Sequence, residues 1–150
     1  MTQTTTGGPG IVGVILVTHA DYGAALLRAA EFILGPIQDC SSIQVDVSLD
    51  VEGTVARLKE AASLLDRGKG VIILTDMFGG TPTNLSLSLM SSPDTIEVVT
   101  GVNLPMLLKV FDNREKSLHE LAELALDAGR KGIVSAGGIL RGRSKPAQSS

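Results

Sequence analysis

Two side chains in this sequence have the means for nucleophilic chemistry at a tuned nitrogen. His19 closes the apolar run Ile11-Val-Gly-Val-Ile-Leu-Val17 through Thr18, and Asp76 closes a second such run, Val71 to Thr75. An aspartate that accepts the Nδ1–H of an imidazole fixes its tautomer, leaving Nε2 with a free lone pair and steadying positive charge on the ring. Such a ring is a nucleophile in search of an electrophile. The residues after Asp76, Met77-Phe78-Gly79-Gly80-Thr81-Pro82, suggest which one. Glycines let main-chain amides approach closely, and a helix opening at Thr81-Pro82 would turn its unpaired N–H groups toward the same place, a corner suited to a phosphoryl group. Asn103 follows a further strand-like run and serves either a ligand or a backbone turn, with capping at least as well supported.

The elements that must bring these residues together follow from periodicity. Runs rich in β-branched residues with little polar alternation predict strands covered on both faces at Ile11–Val17, Ile43–Val47, Val71–Thr75 and Ile96–Thr100. Helical spacing lies between them. One helix spans Tyr22–Leu34 and stops at Gly35-Pro36, and a second spans Val51–Arg67 with Asp50 as N-cap and Gly68 as its stop. A third opens with Thr81 as N-cap and Pro82 at the first helical position and runs to Ser91. A fourth starts near Pro105, and a fifth at the capping box Ser117-Leu-His-Glu120. Gly132–Ser135 reads as a short edge strand. This order predicts an α/β fold: an open, doubly wound, mostly parallel sheet of order 2-1-3-4 with helices on both faces. In that order strands one and three are neighbours, and ligands bind beyond the carboxyl ends of the strands at the switch point. His19 and Asp76 would face each other there.

Composition narrows the functional classes. At 150 residues the chain suits one domain, assigned to residues 11–140, with residues 1–10 and 141–150 as loose ends. No apolar stretch reaches the ~18 to 20 residues of a membrane helix, and the first ten residues lack the charge and hydrophobic pattern of a signal peptide. A cytoplasmic location is expected. One cysteine and two histidines cannot build a Cys/His zinc site, so neither a metal nor a cofactor is expected. A net charge of −3 with one Tyr, three Phe and no Trp argues against nucleic acid. The five basic residues after Gly129 read as a solvated tail. His119, inside the capping box, reads as a surface residue, and Cys40, placed in the loop before the second strand, has nothing nearby to activate it.

Together, Thr18-His19, the segment Thr75 to Asn84, and Gly101-Val-Asn-Leu-Pro-Met-Leu107 resemble the IIA components of the mannose-type phosphotransferase family, over about Ile11 to Val134. The resemblance implies that His19 is phosphorylated, that Asp76 orients it, and that Gly79, Gly80 and Thr81 hold the phosphate. It implies phospho-HPr as donor, a IIB component as acceptor, or a regulatory role, with Met77 and Phe78 as candidate docking contacts. It further implies a homodimer that exchanges a C-terminal strand, which would give Gly132–Ser135 to the partner's sheet. Membrane contact would be indirect, through a permease complex. Ala20 departs from the family, which usually has glycine after the histidine; a positive φ there would strain its methyl group. Two rival functions were weighed. A receiver domain phosphorylated on Asp76 fits poorly, because its Mg²⁺ needs several carboxylates and the first strand offers only Asp21. A non-catalytic anion-binding module keeps the fold and would ignore phosphoryl donors. Nucleotide and flavin motifs are missing.

Overall fold

The computed structural model describes residues 10–46, 50–91 and 95–142. Four parallel strands, β1 (Gly13–His19), β2 (Cys40–Val45), β3 (Val71–Thr75) and β4 (Ile96–Thr100), form one sheet in the order β2-β1-β3-β4. The central pair is in the register Gly13↔Val71 to Val17↔Thr75, so both chains leave the sheet at one edge. That register is what sets His19 beside Asp76.

Both faces of the sheet are covered, as the unbroken apolar runs require. Val14, Leu16, Ile72 and Leu74 face a core completed by helices α1 (Tyr22–Leu34), α4 (Leu104–Asp112) and α5 (Leu118–Lys131). Ile15, Val17, Val71 and Ile73 face the opposite core, with Leu58, Ala62 and Leu65 of α2 (Val51–Leu65). These strand residues are fully buried, and each contributes about 1.5–3 kcal/mol of hydrophobic stabilisation relative to exposure. At the amino end of the strands, the buried Arg114 donates to the carbonyls of Val12, Gln38 and Asp39, joining the end of α4 to the start of the sheet.

Local signals account for most element ends. Asp50 caps α2 by accepting from the Glu52 and Gly53 amides, Gly35 ends α1 at φ 88°, and Ser117 and Glu120 form the reciprocal capping box of α5. Asn103 caps α4: its Oδ1 accepts from the Met106 amide, while its Nδ2 donates to the Gly129 carbonyl. Both ends of the amide are thus occupied structurally. His119 is exposed on α5.

Several expectations are corrected. Helix α3 (Thr81–Leu87) has Gly80, not Thr81, as its N-cap, with Thr81 as the first helical residue and Pro82 the second. Gly80 is extended there (φ −83°, ψ 166°), and no side chain caps the helix. It ends at Leu87, short of Ser91, just as α2 ends at Leu65, short of Arg67. Strand β2 begins at Cys40, so this residue lies in the sheet and not in a preceding loop; the expected Val47 end lies outside the described residues. Burial pushes the Cys40 thiol up, against the opposing pull of the Arg114 charge. Gly132–Ser135 forms no strand within the chain. Ser135 instead caps a short helix, α6 (Ala136–Leu140), by accepting from the Gly138 amide.

Candidate functional site

The site is assembled at the carboxyl edge of β1 and β3. Thr18, buried in the last turn of β1, accepts from the Gly23 amide at 2.8 Å and so supplies the cap for α1 that Asp21 does not. Gly23 is needed for this close seat, since a Cβ on it would lie 3.1 Å from Leu16, Thr18 and Ser42. Between strand and helix the chain turns through Ala20, whose φ is +48°. The left-handed conformation costs an L-residue about 1–2 kcal/mol, most of which glycine avoids. Ala20→Gly is therefore expected to stabilise the protein by about 0.5–1 kcal/mol after the entropy of the freer unfolded chain is deducted. Thermal unfolding should show this as a rise of roughly 2–4 °C; no rise, or a fall, would mean that the turn holds no such strain.

Asp76 lies just past β3. Its Oδ2 accepts the main-chain N–H of His19 at 2.9 Å and lies 2.7 Å from Nδ1 of the same residue. Its Oδ1 accepts the Met77 amide at 3.0 Å. Burial pushes the carboxyl up, but the hydrogen bonds from the His19 main chain and ring, with the ring's charge, outweigh it, so Asp76 is held below its ordinary value. An ionised carboxylate can only accept. The neutral His19 ring must then carry its proton on Nδ1, leaving Nε2 unprotonated. The His19 side chain is 44% exposed and that of Asp76 14%, so the imidazole is open to solvent while its partner is shielded.

The loop from Met77 to Gly80 closes the other side. Gly79 adopts φ +82°, and Gly80 comes so near the ring that an added Cβ would lie 3.0 Å from Cε1 and 3.6 Å from Nε2 of His19. One glycine is there for its backbone conformation and the other for close approach. Residues 78–79 form a turn that directs the Gly80 amide back toward the Met77 carbonyl, while among the described residues the amides of Phe78, Gly79 and Thr81 meet no main-chain acceptor. Met77 and Phe78 are 56% and 78% exposed beside them, and Thr81 is exposed. The structure thus brings together His19, Asp76, Gly80 and the Met77–Phe78 pair; Asn103, His119 and Cys40 have structural places. No group of three or more His, Cys, Asp or Glu side chains among the described residues could hold a metal ion.

Residues 13–126 match the family model EIIA-man, described as the PTS system fructose IIA component. The chain belongs to this family. It is 31% identical over 124 residues to the mannose-specific EIIAB component of Escherichia coli (strain K12), covering 81% of this chain and 38% of that protein. It is 35% identical over 102 residues to the sorbose-specific EIIA component of Lacticaseibacillus casei, covering 67% of this chain and 72% of that one. The chain therefore spans about two fifths of the length of the mannose-specific relatives. The crystal structure of EIIA from Streptococcus agalactiae superposes with a TM-score of 0.77 at 25% identity, over 85% of this chain and 98% of that one. The sheet order and helical layers of this IIA chain are those of the family.

One feature of the site was not found from sequence. Thr75 and Thr83, both buried, place their hydroxyl oxygens 2.7 Å apart directly behind the loop, and Thr83 donates to the Met77 carbonyl at 2.6 Å. A threonine where β3 is otherwise aliphatic was the available signal.

Proposed function

We propose that this domain, residues 11–140, is a phosphocarrier of a phosphoenolpyruvate-dependent sugar phosphotransferase system, loaded on Nε2 of His19 by phospho-HPr. The observation that supports this is the pair of contacts from one Asp76 oxygen to His19, which in the neutral ring leaves Nε2 as the nitrogen without a proton, on a side chain that is 44% exposed. In the transfer, the Nε2–P bond forms as the donor's N–P bond breaks, and the electron pair of the broken bond returns to the donor imidazole. The transition state is loose and in line, so the protein's task is to position and to stabilise charge. Asp76 supports the charge that develops on the ring, and the amides of Phe78, Gly79 and Thr81 are available to the phosphoryl oxygens. The phosphoryl group passes onward to a IIB component or serves regulation, a reading the family relationship supports. The exposed Met77 and Phe78 offer apolar contacts to both partners. The place of action is the cytoplasm, and no described helix is long and apolar enough to cross a membrane.

Incubating the protein with phosphoenolpyruvate, enzyme I and HPr tests this. The expected result is one phosphate per chain, labile in acid and stable in alkali, that discharges to a IIB protein. An alkali-labile adduct lost in Asp76→Asn would favour the receiver-type alternative, although three N–H donors already engage that carboxylate.

The homodimer belongs to the same proposal. Ile133 and Val134 are 78% and 48% exposed between α5 and α6, and among the described residues β4 has no strand on its outer side. Pairing of that segment with a second copy would cover both. Sedimentation at the dimer mass is expected, falling to the monomer mass in Ile133→Asp; a wild-type chain that sediments as a monomer would overturn the assignment.

A further inference from the structure

We propose, on the basis of the phosphocarrier function above, that Thr83 is a positioning residue for the reaction at His19, acting through a directed chain of hydroxyls that holds the Met77 peptide. A hydroxyl has one proton to give. Thr83 gives its proton to the Met77 carbonyl at 2.6 Å. The 2.7 Å contact with Thr75 must then run the other way, with Thr75 donating into Thr83. Thr100 lies at the margin of the same cluster, 3.5 Å from Thr83. The chain from the sheet to the loop is thus Thr75 O–H to Thr83 O–H to Met77 C=O.

Met77 is held at both ends. Its carbonyl is taken by Thr83, while its amide donates to Oδ1 of Asp76, whose other oxygen holds His19. Three residues later Gly80 lies against the imidazole. Met77 therefore joins two adjacent peptides, the Asp76–Met77 unit whose N–H meets the carboxylate and the Met77–Phe78 unit whose carbonyl Thr83 fixes at the start of the loop. Stability alone does not call for this chemistry. Thr75 and Thr83 are 0% and 2% exposed, and valine would fill the same space without the cost of desolvating a hydroxyl. What valine cannot do is hold the carbonyl. In Thr83→Val the Met77 carbonyl loses its side-chain anchor and the Phe78 amide turns with it, while the buried Thr75 hydroxyl loses its acceptor, a stability cost that Thr83→Ser avoids.

The test uses Thr83→Val and Thr83→Ser in the whole chain. Loss of alignment by a fraction of an ångström should cut phosphoryl uptake from saturating phospho-HPr by roughly tenfold in Thr83→Val, with half-saturation changed less than about twofold. Thr83→Ser, which keeps the hydroxyl, should return to within about twofold of the wild-type rate. Amide resonances of Met77 and Phe78 and the ring nitrogens of His19 should shift in the valine variant and recover in the serine variant. Wild-type uptake by Thr83→Val, or an equal loss in both variants, would overturn the proposal, since packing alone would then explain the residue. Should Thr83→Val not fold, Thr75→Val removes only the upstream donor; it should shift the same resonances, and unshifted resonances would overturn the proposal equally. A wild-type chain that takes no phosphate on His19 defeats the phosphocarrier function instead, while the resonances still report on the hydroxyl chain.

Discussion

Replacing His19 with alanine is expected to reduce phosphoryl uptake from phospho-HPr to background while leaving the fold intact. The imidazole supplies the nucleophile, and without it the donor's phosphoryl group meets only water and main-chain amides. The fold should survive for a specific reason. The His19 main-chain N–H, which donates to Oδ2 of Asp76, is kept in the alanine variant, as is the Met77 amide on Oδ1. The half-buried carboxylate thus retains two of its three donors, and the ring that is removed was 44% exposed. Mass measurement after incubation with the donor system, together with thermal unfolding, checks both halves. Normal labelling of His19→Ala would remove this residue from the mechanism.

Asp76→Asn is expected to cost up to about 10⁴ in the rate of uptake, the loss seen when an aspartate that fixes a catalytic imidazole's tautomer is neutralised. All three groups that contact Asp76 are N–H donors, and an amide has only one oxygen to receive them. If that oxygen faces His19, the ring keeps its orientation but loses the charge that steadies it. If the NH₂ faces His19, Nδ1 becomes the acceptor and the proton moves to Nε2, which disables the nucleophile. The stability difference between the two proteins should depend on pH. The folded-state pKa of Asp76 lies below its unfolded value, so the carboxylate's contribution is fully present above the unfolded value of about 3.9 and is lost as pH falls through the folded one. Denaturant titrations of wild type and Asp76→Asn should therefore differ near neutrality and converge below pH 4. Persistent separation in acid would mean that the ionised carboxylate is not what stabilises this edge.

Much of this was legible in the sequence, for physical reasons that also explain the omissions. Ile11 to Val17 and Val71 to Thr75 are apolar on both sides because both sides are covered, and the alternation of such runs with helices pointed to the parallel order that sets β1 beside β3. Capping signals that act through a side chain, at Asp50, Asn103 and Ser117, were recognisable from residue type. Caps made by the main chain were not, so Thr81 was given a role that Gly80 holds through an extended backbone without a side-chain bond. The start of β2 was hidden by Ser41 and Ser42, polar residues on a strand at the sheet edge, whose pairing with β1 is a matter of backbone register. Gly132–Ser135 has β-forming residues at Ile133 and Val134 but no ladder partner among the described residues, and residue type alone does not say whether a run finds one. The Thr75–Thr83 contact joins a strand to a helix eight residues later. Only the folded geometry shows that the two hydroxyls point at one carbonyl.

The bond between His19 and Asp76 spans the seam between β1 and β3, residues 57 apart in sequence that meet only because the two central strands are in register. Those strands carry the fully buried aliphatic residues of both cores, the part of a protein that opens last and most cooperatively. The short helix α6, which lies outside the sheet, can fray and re-form without moving either residue. Heat should therefore take the reactive pair apart only when it takes apart the whole domain. Function would be lost along the global unfolding curve, with no earlier step of local inactivation.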